Sequence, residues 1–209
     1  MLRSSLCLLF AAAMASTALA QTKREATDIV HHPFSEPFAG GGKLTLRVRS
    51  GDIQIIGTDE DRISVELSGR NSRDAGDLRV RFRRSAGEAQ MRIAGGPRNG
   101  LTITVRIPSS TDLHARVPFG DLRVENMAGS QDIELHAGDL TVQVGDAAEY
   151  SHVDASVTAG DLDAVPFGET RDGLFRSFRM NGNGKHRLHA HVGAGDLVFV
   201  ARPRALARR

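Results

Sequence analysis

Five carboxylates recur in one setting. The sequence reads "SGDIQI" at 50–55, "FGDLRV" at 119–124, "AGDLTV" at 137–142, "AGDLDA" at 159–164 and "AGDLVF" at 194–199. Asp52, Asp121, Asp139, Asp161 and Asp196 each follow a glycine and precede Leu or Ile. If the copies stack as neighbouring strands, Asp121, Asp139 and Asp161 fall about 4.8 Å apart. Such a file has two chemical uses. It can bind Ca²⁺, which prefers clustered oxygen ligands, or each carboxylate can accept hydrogen bonds from the backbone N–H groups that follow and so fix a corner. Calcium repeats carry more Gly and Asp per turn than the single Asp here, so the residues favour the corner.

Other groups are weaker candidates. His114 and His189 stand seven residues before an Asp of the repeat, and Asp132 and Asp154 hold that offset in the copies between. Stacking in chain order predicts an outward column His114, Asp132, Asp154, His189, with His191 nearby. Imidazole and carboxylate are competent zinc ligands, but a flat face offers no tetrahedral pocket, and cross-strand charge pairing is the simpler use. His31-His32 lies in a Pro- and Gly-rich lead-in and reads as solvated. Ser109-Ser110 and Ser151-His152 have no Gly-x-Ser-x-Gly elbow around them. Glu125, Glu134 and Asp163 are carboxylates of the kind β-helical polysaccharide enzymes use in pairs, although the chain has no Trp and one Tyr for stacking sugars. Arg79, Arg81, Arg83 and Arg84 line a strand and its end, and Arg202, Arg204, Arg208 and Arg209 lie in the last eight residues. A charged edge strand and a frayed tail is the simpler reading, and contact with anionic lipid or envelope polymer the functional one. No catalytic, cofactor-binding or metal-ligating residue is assigned.

The elements that must carry these residues are strands. From residue 43 the apolar residues alternate with period two: Leu44, Leu46 and Val48 in "KLTLRV", then Ile63, Val65 and Leu67 in "RISVEL". "LRVRF" at 78–82 and "QMRI" at 90–93 flank a hairpin turn, and "LTITVRIP" follows at 101–108. Around each Gly-Asp the parity changes. Leu113, Ala115 and Val117 precede Asp121 at even offsets, whereas Leu122 and Val124 follow it at odd ones. One unbroken strand cannot keep both sets inward, so Gly-Asp must be a corner or bulge that glycine tolerates. The Asp spacings are 69, 18, 22 and 35. Units near twenty residues predict a short β-solenoid, with like strands stacked in parallel. The longest interval holds a predicted antiparallel meander over 62–107. The last holds "FRSFRM", "NGNG" and "KHRLHAHV", which reads as an antiparallel hairpin.

The first twenty residues combine Arg3, an apolar run from Leu6 to Met14 and Ala18-Leu19-Ala20, the pattern of a secretory signal peptide. Cys7, the single cysteine, lies inside it, so the remainder suits an oxidising compartment. The net charge of +2 gives no global drive toward nucleic acid. Residues 21–42 read as an extended lead-in anchored by Phe34 and Phe38, 43–201 as one all-β domain with repeats over 113–199, and 202–209 as a basic tail.

The order of motifs resembles the bacterial putative-adhesin domain family, also called toast-rack-like. Leader, "LRVRSGDIQIIG", a charged stretch closing on "VRIPSSTDLHARV", and Gly-Asp-Leu repeats ending in "GKHRLHAHVGAGDLVFV" carry that resemblance over roughly residues 40–200. It implies an all-β solenoid-like envelope domain and supplies no catalytic residue. The expected function is a non-catalytic exported structural or interaction module. The alternatives are a polysaccharide-active β-helix enzyme or a calcium-stabilised binding domain.

Overall fold

The computed structural model describes residues 21–97, 99–171 and 174–203; the expected leader and Arg204, Arg208 and Arg209 lie outside them. The strands are β1 (Thr22–Ala26), β2 (Phe34–Pro37), β3 (Lys43–Val48), β4 (Asp52–Thr58), β5 (Arg62–Ser68), β6 (Arg79–Ser85), β7 (Glu88–Ala94), β8 (Thr102–Pro108) and β9 (Asp112–Phe119). The chain continues through β10 (Leu122–Glu125), β11 (Gln131–Ala137), β12 (Leu140–Val144), β13 (Tyr150–Ala159), β14 (Leu162–Ala164), β15 (Glu169–Arg171), β16 (Leu174–Asn181), β17 (His186–Ala194) and β18 (Leu197–Ala201). They form two nine-stranded mixed sheets, ordered β1-β6-β7-β3-β9-β11-β17-β13-β16 and β15-β14-β18-β12-β10-β4-β8-β5-β2. No α-helix occurs among the described residues, and no helix there is long and apolar enough to cross a membrane.

Alternation sends every second side chain into one shared core. Leu113, Ala115 and Val117 of β9 are buried, and so are Leu122 and Val124 of β10. The parity change is therefore real, and Gly-Asp passes the chain from the first sheet to the second. It does so between β3 and β4, β9 and β10, β11 and β12, β13 and β14, and β17 and β18. Each inward Leu, Ile or Val contributes roughly 1.5–3 kcal/mol by leaving water.

Glycine is required at the corner for two reasons. Gly138 has φ +128, and a Cβ there would stand 2.1 Å from the Gly120 carbonyl oxygen of the neighbouring unit. Gly120, Gly195 and Gly160 repeat that clash at 2.1 Å, each with the corner beside it. The corners thus touch backbone to backbone, which no side chain permits.

The stacking order departs from chain order. The parallel strands run β3-β9-β11-β17-β13 in one sheet and β4-β10-β12-β18-β14 in the other, so the last copy lies between the third and fourth. This removes the expected hairpin. β16 pairs antiparallel with β13, and β17 pairs parallel with both β13 and β11, so β16 and β17 do not touch as a ladder. "NGNG" crosses the start of β13 instead of making a tight turn. Gly182 N–H donates to the Ser151 carbonyl and Gly184 N–H to the Tyr150 carbonyl. A Cβ on Gly184 would lie 2.1 Å from the carbonyl carbon of Glu149, so the glycines serve a close crossing.

The expected meander over 62–107 is also replaced. β5 pairs antiparallel with β8 in the second sheet, while β6 and β7 form a hairpin in the first, turned by Ala86 and Gly87 at positive φ. β7 lies parallel to β3 and β8 parallel to β4. These two strands are a further stacked unit without Gly-Asp. Ala89, Met91 and Ile93 face the core, then Ile103, Val105 and Ile107 do, with Gly95 and Gly96 at positive φ between them. Strands β1 and β2 of the lead-in pair antiparallel with β6 and β5. The anchors are as expected: Phe38 is buried, and Phe34 packs edge-on against Phe82 at 5.6 Å.

Candidate binding face

Three of the five repeated carboxylates are engaged with backbone. In the corners at Gly120, Gly138 and Gly195 the Gly N–H and the Leu N–H donate to carbonyls of the next unit, as Gly138 does to Ala194 and Leu140 to Asp196. That leaves the Asp N–H, and the carboxylate of the adjacent unit takes it. Asp139 N–H donates to Asp121 Oδ1 at 3.1 Å, Asp196 N–H to Asp139 Oδ1 at 3.0 Å, and Asp161 N–H to Asp196 Oδ1 at 2.9 Å. Each carboxylate is expected to hold its own corner; Asp121, Asp139 and Asp196 hold a neighbour's instead.

The first sheet presents an outer face built from the alternate residues. One file crosses it through Thr45, His114, Asp132, His189 and Asp154, in that order. The predicted sequence of this column is corrected by the inserted β17, which places His189 between two carboxylates. His114 Nδ1–H donates to Asp132 Oδ2 at 2.8 Å, and Arg179 Nε lies 3.4 Å from Asp154 Oδ2. Imidazole and carboxylate side chains thus alternate across strands, a favourable cross-strand arrangement.

The adjacent file holds the residues five before each Asp: Arg47, Arg116, Glu134, His191 and Ser156. Arg116 knits the two files together. Its Nη1 and Nη2 each reach an Asp132 oxygen at 3.2 Å, and its Nε reaches Glu134 Oε2 at 2.8 Å. Burial pushes the Asp132 carboxyl up, but the hydrogen bonds and charge of Arg116, with His114, outweigh it and hold the carboxyl below its ordinary value. Asp132, Glu134 and His189 offer ligand atoms within 4.8 Å of one another. The guanidinium already on both acids competes with a cation for them. An open groove of about 520 Å³ adjoins them, lined by Asp112, His114, Asp132, His152, Asp154 and His189 among others.

The remaining candidates are dispersed. His31 pairs with Asp28. Ser151 Oγ donates to the His186 carbonyl while His152 Nδ1 bonds Asn181 Oδ1, so the two do not act on each other. Glu125 pairs with Arg123, Asp163 accepts from Val165 N–H, and Glu134 lies on the other sheet with Arg116; the three are not gathered at one place. Arg79, Arg81 and Arg83 share the outer face, but Arg84 does not. Its Nη1 donates to the Pro37 carbonyl at the sheet end. Arg202 donates to the Met127 carbonyl.

Period-two alternation puts Arg47 and Arg116 on the outward face but gives them no role, and it does not single out Arg92. Arg47 and Arg116 share an offset from the repeat Asp, a signal that was present. Arg92 sits on β7, which has no Gly-Asp to set its register.

No family model matches this sequence, and no curated protein matches it. Among solved structures, the chain is similar to a putative cell adhesion protein from Clostridium sporogenes, with a TM-score of 0.48 and 11% identity, over 81% of this chain and 99% of that one.

Proposed function

We propose that this chain is a non-catalytic, exported structural or interaction module of the bacterial cell envelope, a short β-solenoid whose outer sheet face is the working surface. The supporting observation is the corner ladder. The most repeated reactive group in the sequence spends an oxygen on the neighbouring unit's N–H in Asp121, Asp139 and Asp196. Its repetition thereby follows from architecture. What the fold exposes is a broad, patterned charged face, suited to lying against another surface. The test pairs a pulldown from bacterial envelope extract with a turnover assay on envelope glycans. Enrichment of a partner without turnover is expected. Glycan cleavage with no enriched partner overturns the reading.

A further inference from the structure

We propose that the arginine file on the first sheet binds a linear acidic polysaccharide carrying one carboxylate per sugar unit, seated across β6, β7, β3 and β9. This rests on the reading of that face as the working surface and names the partner's chemistry.

Arg81 is in register with Arg92, Arg92 with Arg47, and Arg47 with Arg116. Four like charges therefore stand directly opposite one another on four consecutive strands, an arrangement that opposes folding. Acids relieve only the two ends. Arg81 Nε lies 3.1 Å from Glu25, and Arg116 is held by Asp132 and Glu134. The two central guanidiniums, Arg92 and Arg47, have no ion pair or hydrogen bond among the described residues. Lys43 and Arg83 flank them, and with Thr45 and Gln90 they line an open groove of about 460 Å³. A chain whose net charge is only +2 has gathered cations at one place.

The geometry selects the partner. Strands repeat every ~4.8 Å, close to the length of one sugar unit in an extended chain. Where successive units alternate in facing, carboxylates on one side recur every second unit, near the ~9.6 Å between alternate strands, and can meet alternate arginines of the file; the planar guanidinium fork fits each with two parallel hydrogen bonds. The file is also bounded, by Glu25 at one end and by Asp132 and Glu134 at the other. A flat anionic membrane pressed on this face meets those acids too, whereas a short polymer segment does not. None of the exposed large apolar residues Phe119, Val165, Leu174, Phe175 and Val200 lines the groove, so it offers no membrane anchor.

The test uses the purified chain and polygalacturonate oligomers, with binding measured by calorimetry at low and physiological salt. Wild type is expected to bind, and Arg47→Gln and Arg92→Gln each to weaken binding at least tenfold. Arg62→Gln, on β5 beside Glu60, is expected to leave it unchanged. Arg47→Lys keeps the charge but loses the fork and is expected to recover only part of the affinity. Without ligand, Arg47→Gln and Arg92→Gln are expected to melt no lower than wild type, since they relieve repulsion; this separates lost binding from lost folding. The proposal is overturned by absence of polygalacturonate binding at low salt, by binding that both glutamine variants retain, or by tighter binding to polyphosphate or to vesicles of anionic phospholipid. If polygalacturonate fails while the envelope pulldown still enriches a partner that Arg47→Gln loses, the working face stands and the polysaccharide assignment falls.

Discussion

Asp139 sits in the middle of the corner ladder, and its side chain can be altered in two ways with different predicted costs. Its Oδ1 accepts from Asp196 N–H, and its own N–H donates to Asp121 Oδ1. Asp139→Ala removes the first bond and leaves the second. A hydrogen bond to a charged acceptor contributes about 1.5–3 kcal/mol, and a neutral one about 0.5–1.5. The carboxylate is exposed, so water can partly replace it and the lower end of the charged range applies. We expect Asp139→Ala to lose about 1–2 kcal/mol. Asp139→Asn keeps a carbonyl oxygen in place and removes one of a file of like charges, so the loss is expected to stay below about 0.5 kcal/mol. Urea unfolding at neutral pH, with and without calcium, measures both. Unchanged m-values and equal curves with calcium or chelator are expected. If Asp139→Ala costs nothing, the ladder bond does not stabilise the corner. If Asp139→Asn costs as much as Asp139→Ala and calcium stabilises only the wild type, the carboxylate file is an ion site and the backbone argument fails.

The glycines of the corner separate strain from collision. Gly51 has φ +121 but nothing nearer than 3.7 Å to an added Cβ, so Gly51→Ala should cost about 1–3 kcal/mol, whereas Gly138→Ala must also push neighbouring backbones apart and should fail to fold; similar unfolding midpoints for the two variants refute this. Gln131 is buried where the adjoining strands place Leu113 and Leu188, and neither end of its amide has a protein partner. Gln131→Leu is therefore expected to raise stability by about 1–3 kcal/mol in urea unfolding, and a loss refutes the expectation. Tyr150 is the single tyrosine; burial pushes its phenol up, offset in part by the Gly145 N–H that donates to it. Phenolate absorbance should therefore appear above the ordinary tyrosine range and rejoin it in urea. Because the folded Asp132 carboxyl is held low, its contribution is present above the ordinary carboxylate value and lost as pH falls through the lower folded value. Arg116→Gln should make stability less dependent on pH across that acidic window, and an unchanged acid limb in pH-resolved unfolding refutes it.

Parity counting around Gly-Asp identified the corner, because burial on one face imposes period two whatever the neighbours are. It did not identify which unit lies beside which. β17 and β13 carry similar alternations, Leu188-Ala190-Val192 and Val153-Ala155-Val157, so either fits beside β11, and the choice is made by long-range packing. "NGNG" gave the signal of a tight turn because a turn and a close backbone crossing both demand glycine. β7 and β8 form a stacked unit whose long Gly-containing link lacks the repeat's Asp, which hid it. The outward histidines and acids were placed on the right face, since parity decides that, but in the wrong order. Arg116, which binds two of those acids, is also placed outward by parity but without a role, as arginine on an outer face is ordinary until its register is known.

The insertion of β17 and β18 has a consequence for how the chain reaches this state. Strands later in sequence than the fourth unit must enter the stack ahead of it. Until they do, β11 and β12 have one partner each within the parallel stack, and β13 and β14 cannot join them. Synthesis delivers the chain from its N-terminal side, so the earlier units can assemble first while the fourth waits, paired with β16 and β15 alone. Closure of that gap joins distant segments and is expected to be slow. A chain ending after residue 185 should then show strongly protected amides in β3, β9 and β11 but much weaker protection in β13, which keeps only its pairing with β16, by hydrogen exchange. Equal protection in both would mean that the fourth unit docks without the fifth.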